Sequence, residues 1–217
     1  MVSGQLIVPI VENVALPAGV AGPEPLSFDV RCFLVPHSGG VVLVDTGMQP
    51  GAQPVQDALT GLGAGWDAVS DIVVTHAHPD HVGGLPAVVS RAPSATVWAG
   101  AGEPLAMATR SAAHGSRIQE LRVIATPGHT AGHLCLLDEH RGILFAGDAI
   151  GTQDGRLTQG PPAFIADPER AAASLQRLAD CRPDRLLCGH GAEIDNPAEA
   201  LTTFVASTVE QRTGRSN

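Results

Sequence analysis

Thr75-His76-Ala77-His78-Pro79-Asp80-His81-Val82-Gly83-Gly84 follows the apolar run Asp71–Val74 without a break. In extended chain, residues i and i+2 point the same way, so His76 and His78 can reach one metal together. Pro79 turns the chain, and Asp80 and His81 begin a helix with their side chains aimed elsewhere. Four ligand-type residues in six positions thus reach in two directions. Imidazole and carboxylate form the donor set of zinc or a similar first-row metal.

Further ligands are expected at other strand ends. His129 stands in Thr126-Pro127-Gly128-His129-Thr130, after the strand candidate Leu121–Ala125. Asp148 follows Gly147 and the candidate Ile143–Ala146. His190 lies between Gly189 and Gly191, after Arg185–Cys188. Each follows an apolar strand and adjoins a glycine, which puts a polar ligand at a sheet edge with close backbone approach. Seven ligands suffice for two metals.

The rest of the chain supplies the scaffold. Other strand candidates are Gln5–Ile10, Phe28–Pro36, Val41–Asp45, Ile72–Thr75, Thr96–Ala99 and Leu134–Asp138, bounded by Gly, Pro or Asp. Helix candidates are Val55–Leu62, His81–Arg91, Pro104–Ala113, Pro168–Cys181 and Pro197–Gln211. The fourth opens on Asp167, Pro168 and Glu169, and the fifth on Asn196, Pro197 and Glu199. Ala171, Leu175 and Leu178 share one face at helical spacing. Strands and helices alternate, and two strand pairs have hairpin order, which predicts an α/β chain with mixed sheets rather than one parallel sheet. No linker or repeat divides residues 1–217, so a single domain is expected.

Composition excludes several chemistries. The 217 residues carry a net charge of −9, which argues against nucleic acid as the main partner. All 13 basic residues are arginine and there is no tyrosine, so a lysine Schiff base and a tyrosine acid are both ruled out. Cys32, Cys135, Cys181 and Cys188 are scattered without a CxxC pair, as expected of reduced thiols in a cytoplasmic protein. The N-terminus lacks a basic region and carries Glu12 in its apolar stretch, so it does not read as a signal peptide. No apolar run reaches membrane-span length, and no membrane partner is expected.

These motifs resemble the metallo-β-lactamase fold hydrolases. HAHPDH at 76–81 matches the family's His-x-His-x-Asp-His motif, GHT at 128–130, GD at 147–148 and GHG at 189–191 match its later motifs, and LVDTG at 43–47 matches its early Asp-Thr-Gly segment. The resemblance implies an αββα sandwich of two mixed β-sheets with outer helices. It assigns His76, His78 and His129 to one metal and Asp80, His81 and His190 to a second. Asp148 bridges both, and Asp45 supports the ligand loop. A carboxylate at 148 points away from true β-lactamases and toward the branch with glyoxalase II-like thioesterases, lactonases and phosphodiesterases. The absence of tyrosine departs from the lactonases, and Ala149–Arg156 departs from the glyoxalase II pattern. The nucleic-acid branch, with its extra domain and basic surface, does not match.

The expected activity is hydrolysis of a small ester, thioester or lactone by a metal-bridging hydroxide, with Asp80 orienting the nucleophile and passing a proton to the leaving group. Two zinc ions are expected, with iron or manganese as alternatives. The rival functions are a mononuclear iron persulfide dioxygenase of the same fold and a non-catalytic metal-binding protein. Among other candidates, His133 is expected to be structural, Cys188 buried filler, and His37 and His140 surface residues. Loops 151–167 and 102–117 are the expected pocket walls. There Arg110, Arg117, Arg156, His114 and Phe164 are candidates to meet a substrate, although solvation is the better explanation for the arginines and His114.

Overall fold

The computed structural model describes residues 6–19 and 23–213. The chain forms two compact units, Met1–Trp98 with Ala108–Arg110, and Ala99–Met107 with Ser111–Asn217.

In the first unit, β1 (Val8–Leu16), β2 (Leu26–His37), β3 (Gly40–Val44), β4 (Val69–Val74), β5 (Thr96–Ala99) and β6 (Arg110–Ser111) form a sheet in that order. β1/β2 and β2/β3 are antiparallel, and β3/β4 is parallel. Val41–Val44 and Ile72–Val74 are buried throughout, which explains their unbroken apolar sequence. β1 lies at the edge and alternates exposed with covered positions. The strand expected at Gln5–Ile10 is therefore longer and later, and Gln5 lies outside the described residues. The helices are α1 (Gln53–Gly61), α2 (Pro79–Val82) and α3 (Leu85–Arg91). One helix was expected over His81–Arg91, but Gly83 and Gly84 separate two.

His37, expected at the surface, is buried. Its Nδ1 accepts from the Gly39 amide at 3.2 Å, so its Nε2 carries the hydrogen and donates to Ser70 Oγ at 3.0 Å. Ser70 in turn donates to Asp71 Oδ2 at 2.8 Å. The imidazole gives a proton to this serine rather than taking one, so the trio is a structural tie and not a nucleophilic triad.

In the second unit, β13 (Arg185–Cys188), β10 (Ile143–Gly147), β9 (Leu134–Asp138), β8 (Leu121–Ala125) and β7 (Arg117–Ile118) form the other mixed sheet, in that order. β11 (Gly151–Gln153) and β12 (Arg156–Thr158) make a separate hairpin. Helices α4 (Pro168–Asp180) and α5 (Pro197–Thr213) complete it. Asp167 Oδ1 accepts from the amides of Glu169 and Arg170 at 3.1 and 3.0 Å, the expected cap. Leu175, Leu178 and Ala179 pack with Ile124, Leu144, Leu186 and Leu201 in the core.

The helix expected at Pro104–Ala113 is absent. Glu103 is tied down by its own contacts, and the Ala112 amide donates to Ala99 O at 2.9 Å, which draws the segment into extended chain. No described helix is long and apolar enough to cross a membrane.

Candidate metal centre

Strand direction decides where the ligand residues emerge. β3 and β4 are parallel neighbours, so Asp45 and Thr75–His81 leave the same edge of their sheet. In the second unit β10 is parallel to β13, and β8 is antiparallel to β9, which is antiparallel to β10. β8, β10 and β13 therefore run the same way, and His129, Asp148 and His190 all leave one edge, the carboxyl ends where α/β sheets place ligands.

Asp45 organises the first unit's ligands. It is buried and has a positive φ of 60°. Its Oδ1 accepts from the Thr75 amide at 2.8 Å, and its Oδ2 accepts from Thr75 Oγ1 at 2.7 Å and His81 Nδ1 at 2.9 Å. The hydroxyl hydrogen of Thr75 is thus committed to Asp45. At 3.1 Å, Thr75 Oγ1 then accepts from His76 Nδ1. Asp45 holds both imidazoles in the tautomer with the hydrogen on Nδ1 and the lone pair on Nε2, the atom that a metal would use, His81 directly and His76 through Thr75.

The 45–49 turn is itself held from two sides. The Thr46 amide and hydroxyl donate to His81 O at 2.9 and 3.0 Å. Glu12, buried on β1, accepts from the amides of Met48 and Gln49 at 3.1 Å each. Sequence reasoning noted Glu12 only as a charge within an apolar stretch. That mismatch was the available signal for its role.

The remaining spacings test whether the donors fit a cation. Tetrahedral ligands at about 2.0–2.1 Å from zinc sit roughly 3.3 Å from each other. His76 Nε2 and His78 Nδ1 are 3.1 Å apart. His190 Nε2 and Asp148 Oδ2 are 3.1 Å apart, His129 Nε2 and Asp148 Oδ2 3.6 Å, and His81 Nε2 and Asp80 Oδ2 3.8 Å. Each unit brings its own candidate donors together, His76 with His78 and Asp80 with His81 in the first, and His129 and His190 about Asp148 in the second. The donor set and its spacings fit a divalent metal. His76, His81 and His129 are buried, and His78, Asp80, Asp148 and His190 are half-buried.

Other candidates have other partners. Arg117 and Arg122 pair with Glu139, whose carboxyl they hold below its usual range, chiefly through the Arg117 hydrogen bond. Arg110 lies over the Trp98 ring at 4.9 Å. Arg156 lines a cleft of about 890 Å³ along α5 with Glu193, Asp195 and Glu199. His114 is exposed, with Nδ1 accepting from the Ala125 amide at 3.2 Å. Phe164 is 45% exposed. Cys188 is buried in the core, as expected.

Glu103 was not anticipated from sequence. It accepts from Thr130 Oγ1 and, at 2.9 Å, from the Gly132 amide, so it braces the turn that carries His129.

Comparison with known proteins identifies the family. The family model described as the metallo-beta-lactamase superfamily matches residues 28–112 and 101–190. An uncharacterized protein of Bacillus subtilis (strain 168), YobT, is 31% identical over 211 residues, covering 82% of this chain and 89% of its own. The hydroxyacylglutathione hydrolase of Aeromonas hydrophila is 34% identical over 184 residues, covering 79% of this chain. The match spans 65% of that enzyme's length. TTHA1623, solved in a di-iron-bound form, is 27% identical with a TM-score of 0.65, covering 87% of this chain and 96% of that one. These relatives indicate a metal-dependent hydrolase. By its family model and its relatives, the chain belongs to the metallo-β-lactamase superfamily.

Proposed function

We propose that residues 1–217 act as one domain with a dinuclear, zinc-loaded centre that hydrolyses a small ester, thioester or lactone. The observation that carries this proposal is the clustering of donors within each unit, His76, His78, Asp80 and His81 in the first and His129, Asp148 and His190 in the second. His76, His78 and His129 would hold one ion, and Asp80, His81 and His190 the second. Asp148, its Oδ2 within 3.6 Å of both His129 and His190, would serve both. Bound divalent cations supply a water acidified toward neutral pH and positive charge for the oxyanion of an attacked carbonyl.

The chain's own groups do the rest. Asp45 keeps His76 and His81 in the tautomer that presents Nε2. We assign Asp80, half-buried, to orient the attacking water and to carry its proton to the leaving oxygen or sulfur. With no lysine or tyrosine in the chain, neither an ammonium nor a phenol shares that task. The hydroxyacylglutathione hydrolase relatives favour the thioester member of the substrate set.

Elemental mass spectrometry of protein purified without added metal or chelator, paired with ester, thioester and lactone panels, tests this. About two zinc ions per chain and turnover, both lost in His78→Ala, is the expected result. About one iron with oxygen uptake on persulfides would replace it with a mononuclear dioxygenase. Two ions with no turnover on any panel would replace it with a metal-binding protein.

A further inference from the structure

We infer that His133 is a positioning residue for the Asp148 carboxylate and acts through the Asp148 backbone amide. This rests on the two-metal function proposed above. His133 is 1% exposed and lies four residues after His129, just before β9. The Asp148 amide lies 3.1 Å from His133 Nε2. An amide N–H only donates, so Nε2 must carry the lone pair, and in the neutral ring the hydrogen sits on Nδ1. Nδ1 is 2.8 Å from Thr126 Oγ1, to which it donates. Thr126 Oγ1 then has its own hydrogen for Cys135 Sγ at 3.2 Å, and the Cys135 thiol donates to Ala146 O at 3.2 Å.

Four hydrogen bonds of one polarity thus run from the amide of residue 148 back to the carbonyl of residue 146. They pass through a threonine beyond the end of β8, a histidine before β9 and a cysteine within it. The Thr126 amide donates to His133 O at 2.9 Å, which fastens threonine to histidine a second time. Thr126, His133 and Cys135 are all buried. Between the chain's two ends lies Gly147, with a φ of +48°, where the backbone turns out of β10. Gly147 O accepts from the Gly189 amide at 2.8 Å, next to His190.

The peptide entering Asp148 is therefore fixed by a ring whose orientation is locked at both nitrogens. That peptide sets the carboxylate's approach to His190 and His129. Because both nitrogens are engaged, His133 is not a ligand itself. Its contribution is the angle at which Asp148 is presented to two ions at once.

Two substitutions separate this role from plain packing. In His133→Gln the side-chain amide oxygen reaches the place of Nε2 and can accept from Asp148, but the bond to Thr126 is lost. In His133→Asn the amide reaches only the place of Nδ1, so Thr126 is kept and Asp148 is lost. The readouts are metal content after dialysis against a limiting chelator and electron paramagnetic resonance of the manganese(II)-loaded protein, in which paired ions are spin-coupled. Melting temperature is measured alongside.

We expect two coupled ions in the wild type and in His133→Gln. In His133→Asn we expect content to fall toward one ion, with coupling lost and the second ion bound about 10–100-fold more weakly, while both variants melt alike. Two coupled ions in His133→Asn, or metal loss in both variants that simply follows melting temperature, would overturn the inference. A single ion in the wild type would overturn the two-metal proposal instead. The His133 inference is then decided by whether Asn weakens that ion and Gln does not. If neither variant folds, Thr126→Val cuts the same chain beyond the ring at nearly constant volume. Unchanged metal affinity there would also overturn the inference.

Discussion

Gly83→Ala adds one methyl group to the ligand segment, and two physical rules assign it opposite signs. Gly83 has φ −57° and ψ −40°, an ordinary helical conformation. By propensity alone, alanine would stabilise it by about 1 kcal/mol. The surroundings say otherwise. A Cβ there would lie 2.1 Å from the Met48 carbonyl oxygen, 2.6 Å from its carbon and 3.0 Å from its Cα. The carbonyl would have to retreat by about 0.9 Å to restore even a 3.0 Å approach, and it has little freedom to do so. The amides of Met48 and Gln49 are held by Glu12, and the adjoining turn is tied to Gly84 and His81.

Overpacking of this kind costs about 1–3 kcal/mol, and each strained hydrogen bond adds about 1 kcal/mol. Set against the propensity gain, the net loss is about 1–4 kcal/mol. For a chain of this length that corresponds to roughly 2–15 °C in melting temperature. Because the displaced turn begins at Asp45, metal affinity should fall as well. Differential scanning calorimetry and chelator competition measure the two effects. Gly61→Ala is the control, since a Cβ there meets nothing within 4 Å, and it should melt at or slightly above the wild type. Gly83→Ala melting no lower than the wild type with unchanged metal affinity would refute the reasoning.

Two further predictions concern buried groups of the same unit. Asp45→Ala removes three hydrogen bonds and strands a buried imidazole N–H and a buried amide. We expect a loss of about 2–5 kcal/mol of stability and metal affinity weakened about 10–100-fold. Wild-type affinity in chelator competition would show that Asp45 does not set the histidine tautomers. The Cys32 thiol is held far above its ordinary value, first by burial and then by the carboxylates of Asp45 and Glu12. Its folded pKa is raised, so its contribution is complete below the unfolded value near 9.0 and declines as pH rises. Denaturant titrations above that pH should show a slope of about 1.4 kcal/mol per pH unit from this group, absent in Cys32→Ala. Equal slopes would show that Cys32 ionises in the folded state.

What the sequence revealed and what it hid have distinct physical origins. The turns that carry the candidate ligands were legible because their chemistry is local: an apolar run, a glycine or proline, then a histidine or aspartate. The cap at Asp167 was legible for the same reason, since its two hydrogen bonds reach no farther than Arg170. The break between α2 and α3 was not, although the glycines were in view. Isolated helical periodicity carries through Gly83 and Gly84, and only the nearness of Met48 O and Thr46 O shows why side chains are excluded there. The segment Pro104–Ala113 failed for a similar reason. Its propensity allows a helix, but Ala112 bonds to Ala99 O and Glu103 bonds across to Thr130 and Gly132. His37 lies in a hairpin turn that looks like surface, and its burial follows from the contact with Ser70, 33 positions away.

The supports of the site belong to that second, nonlocal kind. Glu12 and Asp45 are far apart in sequence, yet they restrain one turn from opposite ends. His133 is near His129 in sequence but does its work on Asp148, 15 positions on. Strand direction makes these pairings: within one sheet β3 and β4, and within the other β8, β10 and β13, each carry scattered candidate ligands to one edge of their own sheet. A residue that binds metal must have a ligand's chemistry and can be recognised by type. A residue that aims a ligand needs only a hydrogen bond in the right place, so glutamate, threonine, histidine or a backbone amide can serve. The ligands are therefore the part of such a centre that sequence displays, and their supports are the part that needs the fold.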